Sequence, residues 1–296
     1  MKYKLKYNLP HDAATCIGWL LDARGVEDIE GYVYPSKEYE FKPRLLDNID
    51  RGAEPLKKHL DNDSNILLVQ DCDTDGIMSS AMLWLYIKDF YPNAKLEYVC
   101  HEHKQHGLED IIDNIEESDY DLIILPDASS NDYDYHERLY NAHKDVLVID
   151  HHEAEHYSSY AVVINNQLSP NYPNKSFSGA GVVYKFLMVM DEVMNKPGYS
   201  EKYMDLCALA NVADCMSMKH PETRYYIMEG LKRVQNEGFK AFINQQSYSL
   251  FKETKELGYI GVAFYIAPLL NAVVRVGTME EKRLLFESFI NPNELI

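Results

Sequence analysis

Ile66-Leu67-Leu68-Val69-Gln70-Asp71-Cys72-Asp73-Thr74-Asp75-Gly76 runs from four aliphatic residues into three acids within five positions. The apolar stretch has the length of a buried strand, and the acids stand at its carboxyl end. A calcium loop of the EF-hand kind also opens with acids at its first, third and fifth positions and glycine at its sixth. Its twelfth position would be Met82, where a bidentate glutamate is needed, and a strand-type run precedes it instead of a helix. The bland alternative is a turn of solvated aspartates ahead of a helix. The other reading, which the rest of the chain strengthens, is a cation site where a parallel strand turns into a helix near Gly76-Ile77, the edge at which open α/β sheets bind ligands.

Four more short apolar runs close on polar residues: Leu96 to Val99, Asp121 to Leu125, Val146 to Ile149 and Ala161 to Ile164, beside Asn65 to Val69. Helix-length segments separate most of them, at Ile77 to Phe90, Leu108 to Ile115 and Asp134 to His143. Alternation of this kind predicts an α/β fold, a doubly wound five-stranded parallel sheet with right-handed crossovers. Ala13 to Ala23 and Arg44 to His59 predict a helical N-terminal segment. Gly179 to Met194, Lys202 to Val212, Pro221 to Glu237, Phe239 to Gln246 and Ala263 to Val274 predict helices after the sheet, the later ones forming a C-terminal extension. The expected division is residues 1–218 as the sheet domain with its N-terminal helices, and 219–296 as a helical connector.

Polar groups follow every strand: Asp71/Asp73/Asp75, His101/His103/His106, Asp127, Asp150-His151-His152 and Asn165-Asn166. In a parallel sheet these lie on one edge. So many ionisable groups cannot share a site unless cations offset their repulsion and desolvation. Carboxylates mixed with imidazoles suit Mn²⁺ or Mg²⁺ better than structural zinc, and the number of groups suits two ions. Two ions about 3.5–4 Å apart hold both ends of an in-line displacement at phosphorus and bring hydroxide within reach of neutral pH.

Asp71-Cys72-Asp73-Thr74-Asp75-Gly76, Asp127, Asp150-His151-His152 and Asn211-Val212-Ala213-Asp214 resemble the four ordered motifs of the DHH phosphoesterase superfamily. The chain is similar to its RecJ-type exonucleases through Ser178-Gly179-Ala180-Gly181-Val182, Arg224 with Glu229-Gly230-Leu231, and Ala267-Pro268-Leu269-Leu270-Asn271-Ala272 followed by Arg275. The resemblance implies one ion on Asp73 and Asp127 and another on Asp75, Asp127, His151 and Asp214, with Asp127 as the bridge. It implies catalytic roles for Asp71, as ligand or orienter of water, for His152, beside the scissile phosphate, and for Asp150, fixing a histidine tautomer. Ser178 and Gly179 either offer backbone N–H groups to a phosphate or simply cap and pack a helix. His106, Arg224, Asn271 and Arg275 complete the expected substrate contacts, Arg275 being favoured over Arg224.

Three departures accompany the match. Ala128-Ser129-Ser130-Asn131-Asp132 replaces the family's usual loop after Asp127, Leu269 stands where arginine is usual, and Val273-Val274 replace Ala-Gly. The cluster Cys100 to His106 fits no standard zinc spacing and reads as a loop bordering the active edge.

With 47 Asp+Glu against 29 Lys+Arg, the net charge of −18 excludes broad adhesion to polyanions or anionic membrane. Five cysteines without a C-x-x-C pair read as reduced thiols, and neither a secretion signal nor 18 uninterrupted apolar residues is present. A cytoplasmic enzyme without a membrane partner is expected. The resemblance implies a 5′-to-3′ single-stranded DNA exonuclease of DNA repair and recombination. Further modules, the DHH-associated and oligonucleotide-binding ones, would come from a longer chain or a partner. The alternatives are a phosphodiesterase for oligonucleotides or cyclic dinucleotides, and a non-catalytic scaffold in a replication or repair complex.

Overall fold

A computed structural model describes residues 12–101, 106–252 and 254–292. The N-terminal segment is helical: α1 spans Ala13–Ala23, α2 Ile29–Val33 and α3 Ile49–Asp61. The predicted single helix from Arg44 to His59 is broken. Asn48 takes a left-handed conformation (φ 63°) ahead of α3. Its side-chain amide donates to Val163 O, and the Asp47 N–H donates to Ser169 Oγ. Asparagine tolerates this conformation, and the two tertiary bonds hold it.

The sheet is built from β1 (Ile66–Gln70), β2 (Leu96–Cys100), β3 (Leu122–Pro126), β4 (Asp145–Asp150) and β5 (Val162–Asn165). Every pairing is parallel and the order is β2-β1-β3-β4-β5. Between the strands lie α4 (Thr74–Phe90), α5 (Ile112–Glu116) and α6 (Tyr133–Asn141). Alternate strand residues feed two cores. Ile66, Leu68, Ile124, Leu147 and Ile149 join the larger, while Leu67, Val69, Ile123, Val146 and Val148 join the smaller with α5 and α6. The chain reverses direction across the sheet between β1 and β3, and a crevice opens at their carboxyl ends.

After the sheet come α7 (Gly179–Val193), α8 (Met204–Ala213) and α9 (Pro221–Lys232), then α10 (Glu237–Gln245) and α11 (Ser247–Leu250). The predicted helix from Pro221 to Glu237 stops early. Asp205 Oδ2 accepts the N–H groups of Gln235 and Asn236, both at 2.7 Å, and Asn236 then caps α10. A continuous helical run follows: α12 (Tyr259–Gly261), a π-helical turn (Val262–Ile266) and α13 (Ala267–Val276), before α14 (Met279–Ile290). The π turn sits where Pro268, near the start of α13, has no N–H to give. By length and composition Tyr259–Val276 could cross a membrane, but Val262, Ile266, Leu270 and Val274 form a stripe buried in the larger core. The helices beyond residue 219 share that core with α4 and α8.

Candidate metal centre

Strand β1 delivers Asp71 to the crevice, and the chain turns at once into α4. The helix starts at Thr74, three residues earlier than its apolar spacing predicts, because Asp73 is its N-cap and accepts the Gly76 N–H at 3.0 Å. Gly76 is required there: a Cβ would meet Asp71 O at 2.8 Å. Asp75 therefore lies in the first helical turn, where its carboxylate accepts the N–H groups of Gly179 (2.8 Å) and Ala180 (2.9 Å) from the start of α7.

Asp127 follows β3 in a left-handed conformation (φ 67°) and is 1% exposed. Neither of its carboxylate oxygens has a hydrogen-bond partner among the described residues. A Cβ on Gly179 would lie 2.2 Å from Asp127 Oδ1, so only glycine leaves room for this carboxylate. His151 Nε2 stands 3.2 Å from Asp127 Oδ1 and 3.7 Å from both Asp75 Oδ2 and Asp214 Oδ2. Asp214, just past α8, also has an unpartnered buried oxygen.

Among the described residues four groups bring their ligand atoms within 4.8 Å of one another: Asp71/Asp73/Asp127, Asp75/His151/Asp214, Asp127/His151/His152 and Asp71/Cys72/His106. Asp127 belongs to two of them. Burial pushes Asp127 well above the ordinary carboxylate range, and the charges of Asp75, Asp73, Asp71 and Asp150 add to it. Asp214 is pushed up to about 7 by burial, then by Asp75 and Asp73. Asp71 and Asp75 are raised chiefly by burial as well. Buried acids that repel one another, with oxygens of Asp127 and Asp214 left without hydrogen-bond partners among the described residues, fit a cation, whose charge replaces both the missing partners and the lost hydration. Cys72 is not in either of the groups that contain Asp127, and burial pushes its thiol up to about 12. The donor set is oxygen and imidazole, which suits Mn²⁺ or Mg²⁺.

Asp150 stands behind the two histidines. Its Oδ1 accepts the His151 N–H (2.7 Å) and bonds His152 Nδ1 (2.8 Å), while Oδ2 accepts the Ser130 N–H (3.1 Å). Burial alone would raise Asp150, but the bond and charge of His152, with the charge of His151, hold it below the usual carboxylate range. His152 is pushed up to about 9, first by its bond to Asp150, and half of its side chain faces solvent. Asn165, ending β5, fixes the same loops by donating to Ser130 Oγ and His152 O.

The remaining predicted residues divide. His106 reaches the rim: Nδ1 lies 2.8–2.9 Å from both Asp71 oxygens, which raises its pKa. Asn271 comes from α13 and accepts from Thr74 Oγ1 at 2.6 Å, tying the C-terminal helices to the acidic turn. Arg275, one turn further along α13, is exposed.

The other expected residues take these places. The N–H groups of Gly179 and Ala180 are occupied by Asp75 and that of Gly181 by Ser178 Oγ, so Ser178 and Gly179, both buried, pack the site and offer no N–H to a phosphate. Arg224 stacks its guanidinium 3.9 Å over the Tyr32 ring of α2, and its Nε and Nη1 have no hydrogen-bond partner among the described residues. His101 is buried against Asp110 (2.8 Å), while His103 lies outside the described residues. Thr74 and Asp132 were not legible in the sequence as site residues, because their partners, Asn271 and Leu108, lie far along the chain.

Residues 65–211 match the model of the DHH family, N-terminal domain. The chain is 39% identical over 277 residues to a putative SPbeta prophage-derived single-strand DNA-specific exonuclease, YorK, of Bacillus subtilis, covering 94% of this chain and 47% of that protein. It is 24% identical to the single-stranded-DNA-specific exonuclease RecJ of the same organism, over 87% of this chain and 33% of RecJ. It thus spans half or less of the length of these curated relatives. Among solved structures, exonuclease RecJ bound to manganese superposes with a TM-score of 0.74 at 22% identity, over 84% of this chain and 62% of that one. That likeness shows the fold.

Proposed function

The chain belongs to the DHH family, and from this premise we propose that it is a phosphodiesterase of RecJ type, releasing mononucleotides from the 5′ end of single-stranded DNA. The observation that carries the reading is Asp127: a buried carboxylate, without a hydrogen-bond partner for either oxygen among the described residues, that belongs to two ligand groups. Asp73 and Asp127, with Asp71 in reach, would hold one Mn²⁺ or Mg²⁺, and Asp75, Asp127, His151 and Asp214 the other. Bound there, two divalent ions supply positive charge to both the attacking and the leaving oxygen of an in-line displacement at phosphorus.

The chain's own side chains do the rest. His152, its Nδ1 held by Asp150, donates from its other ring nitrogen to a non-bridging phosphate oxygen as charge builds on it. Gly179 keeps the crevice open around Asp127. Arg275 and the amide of Asn271 on α13, with His106 opposite, receive the strand. A reducing cytoplasm suits five free cysteines. The names of the relatives support single-stranded DNA as substrate. The net charge of −18 favours one rival, an enzyme for short oligonucleotides or cyclic dinucleotides, since a long polyanion meets little help from the surface.

The test compares 5′-labelled single strands, duplexes, dinucleotides and pyrophosphate with Mn²⁺, Mg²⁺ or EDTA, for wild type and Asp127→Ala. Mononucleotide release from single strands, abolished by EDTA and by the substitution, is expected. Rapid dinucleotide cleavage beside inert long strands would replace this reading with its rival. Inactivity on every substrate with Mn²⁺ still bound would leave a metal-binding scaffold.

A further inference from the structure

We propose that Asp132 is a positioning residue of the metal centre, fixing the turn that presents His106 to Asp71. The claim rests on the reading of the acidic rim as the reactive centre, and its geometry is independent of that reading. Asp132 occupies the N-cap of α6, where an aspartate ordinarily accepts an N–H of its own helix. It does not do so: its side chain makes no cap bond. Instead Oδ2 accepts the Leu108 N–H at 3.1 Å and the Ser129 hydroxyl at 2.8 Å. The helix forgoes its cap so that the carboxylate can hold a loop 24 residues away in sequence.

The loop is shaped to receive it. Gly107 has φ +75°, and a Cβ there would lie 2.2 Å from Asp132 Oδ2 and 2.9 Å from Ser129 Oγ. Only glycine supplies both the left-handed conformation and the space. His106 immediately precedes this glycine, half-exposed, with Nδ1 on the Asp71 carboxylate and Cys72 Sγ 3.9 Å away.

The other end of the same segment serves the other histidine. Ser130 N–H donates to Asp150, which bonds His152. The stretch 127–132 thus carries Asp127 at its start and sets both imidazoles that flank a cleft of about 390 Å³.

The experiment follows the His106 ring by NMR in histidine-labelled, metal-free protein, its signals assigned with His106→Gln. Asp132→Ala is expected to move them towards the positions seen in Asp71→Asn. Asp132→Asn, whose Oδ1 still accepts both bonds, is expected to keep them near wild type. In single-strand cleavage with Mn²⁺, Asp132→Ala is expected to lower kcat about tenfold, with rescue by Asp132→Asn. The double variant His106→Gln/Asp132→Ala is expected to be no slower than His106→Gln alone. Unmoved His106 signals in folded Asp132→Ala, or costs that multiply in the double variant, would overturn the proposal. The NMR arm needs no turnover, so a protein inactive on every substrate would remove the functional reading while leaving the positioning claim tested.

Discussion

The rim at the carboxyl ends of β1 and β3 and the node around Lys185 and Glu222 bury comparable charge in opposite ways. Glu222, 0% exposed, has every oxygen engaged: Oε1 takes the Phe41 N–H (2.8 Å) and Lys185 Nζ (2.7 Å), and Oε2 takes Tyr172 Oη and the Asn174 amide (both 3.0 Å). Lys185 also donates to Phe41 O. Asp127, 1% exposed, has no hydrogen-bond partner for either oxygen among the described residues, only the His151 imidazole 3.2 Å away and four acids nearby. A buried charge that the protein satisfies holds the N-terminal segment, α7 and α9 together. One left unsatisfied marks where the protein expects a charge from outside. Burial alone does not separate the two; the donors do.

The largest effect that would sharpen this contrast is on turnover. Asp127→Asn is expected to slow strand cleavage on the order of 10³-fold, about 4 kcal/mol of barrier, without lowering the melting temperature of metal-free protein, because a repelled acid has been removed. Melting as low as a Glu222 variant would break the comparison.

Glu222→Ala is expected to act on stability instead. Leaving Lys185 buried and unpaired costs about 3–5 kcal/mol, on the order of ten degrees of melting temperature, with Mn²⁺ affinity of the folded protein unchanged. Thermal denaturation and Mn²⁺ titration read the two separately. Next in size is the response to metal. Mn²⁺ at about 100 times its Kd should stabilise wild type by about 2.7 kcal/mol, and Glu222→Ala equally, while Asp127→Asn gains little. An equal gain in Asp127→Asn would remove Asp127 from the ligand set.

The smallest effect is on pH. Unfolded carboxylates release their protons near 3.8, whereas Asp214 in the folded protein holds its proton up to about 7 and Asp127 is also raised. Metal-free stability should therefore be greatest below pH 4 from these groups and fall as pH rises through 7, by no more than about 1.4 kcal/mol per pH unit for each group. Denaturant midpoints should show that slope, flattened by Asp214→Asn and by saturating Mn²⁺. A slope of opposite sign would refute the crowding of acids at the rim.

Much of this was legible along the chain because strand ends are local. An apolar run closed by Asp71, Asp127 or Asp150 states both the strand and the edge at which its acid emerges, and the parallel sheet follows from the helices between. Where prediction slipped, the cause lies far off in sequence. Asn48 breaks a helix through bonds to Val163 and its neighbour's to Ser169, and Asp205 ends α9 by capturing Gln235 and Asn236. Ser178 and Gly179 have the composition of a phosphate cradle, yet Asp75 takes the N–H groups, which only the packing of α7 against α4 could decide.

The sequence by itself determined which acids and imidazoles reach one edge, since alternating period and strand length follow from the order of residues. Tertiary structure alone decided which of them are left without donors and which are satisfied. His101 turned to Asp110, Asp132 spent its carboxylate on Leu108, and Asp127 was left bare. The reason is physical: residue order sets the direction of a side chain, whereas hydrogen-bond satisfaction depends on atoms that only folding brings within about 3 Å.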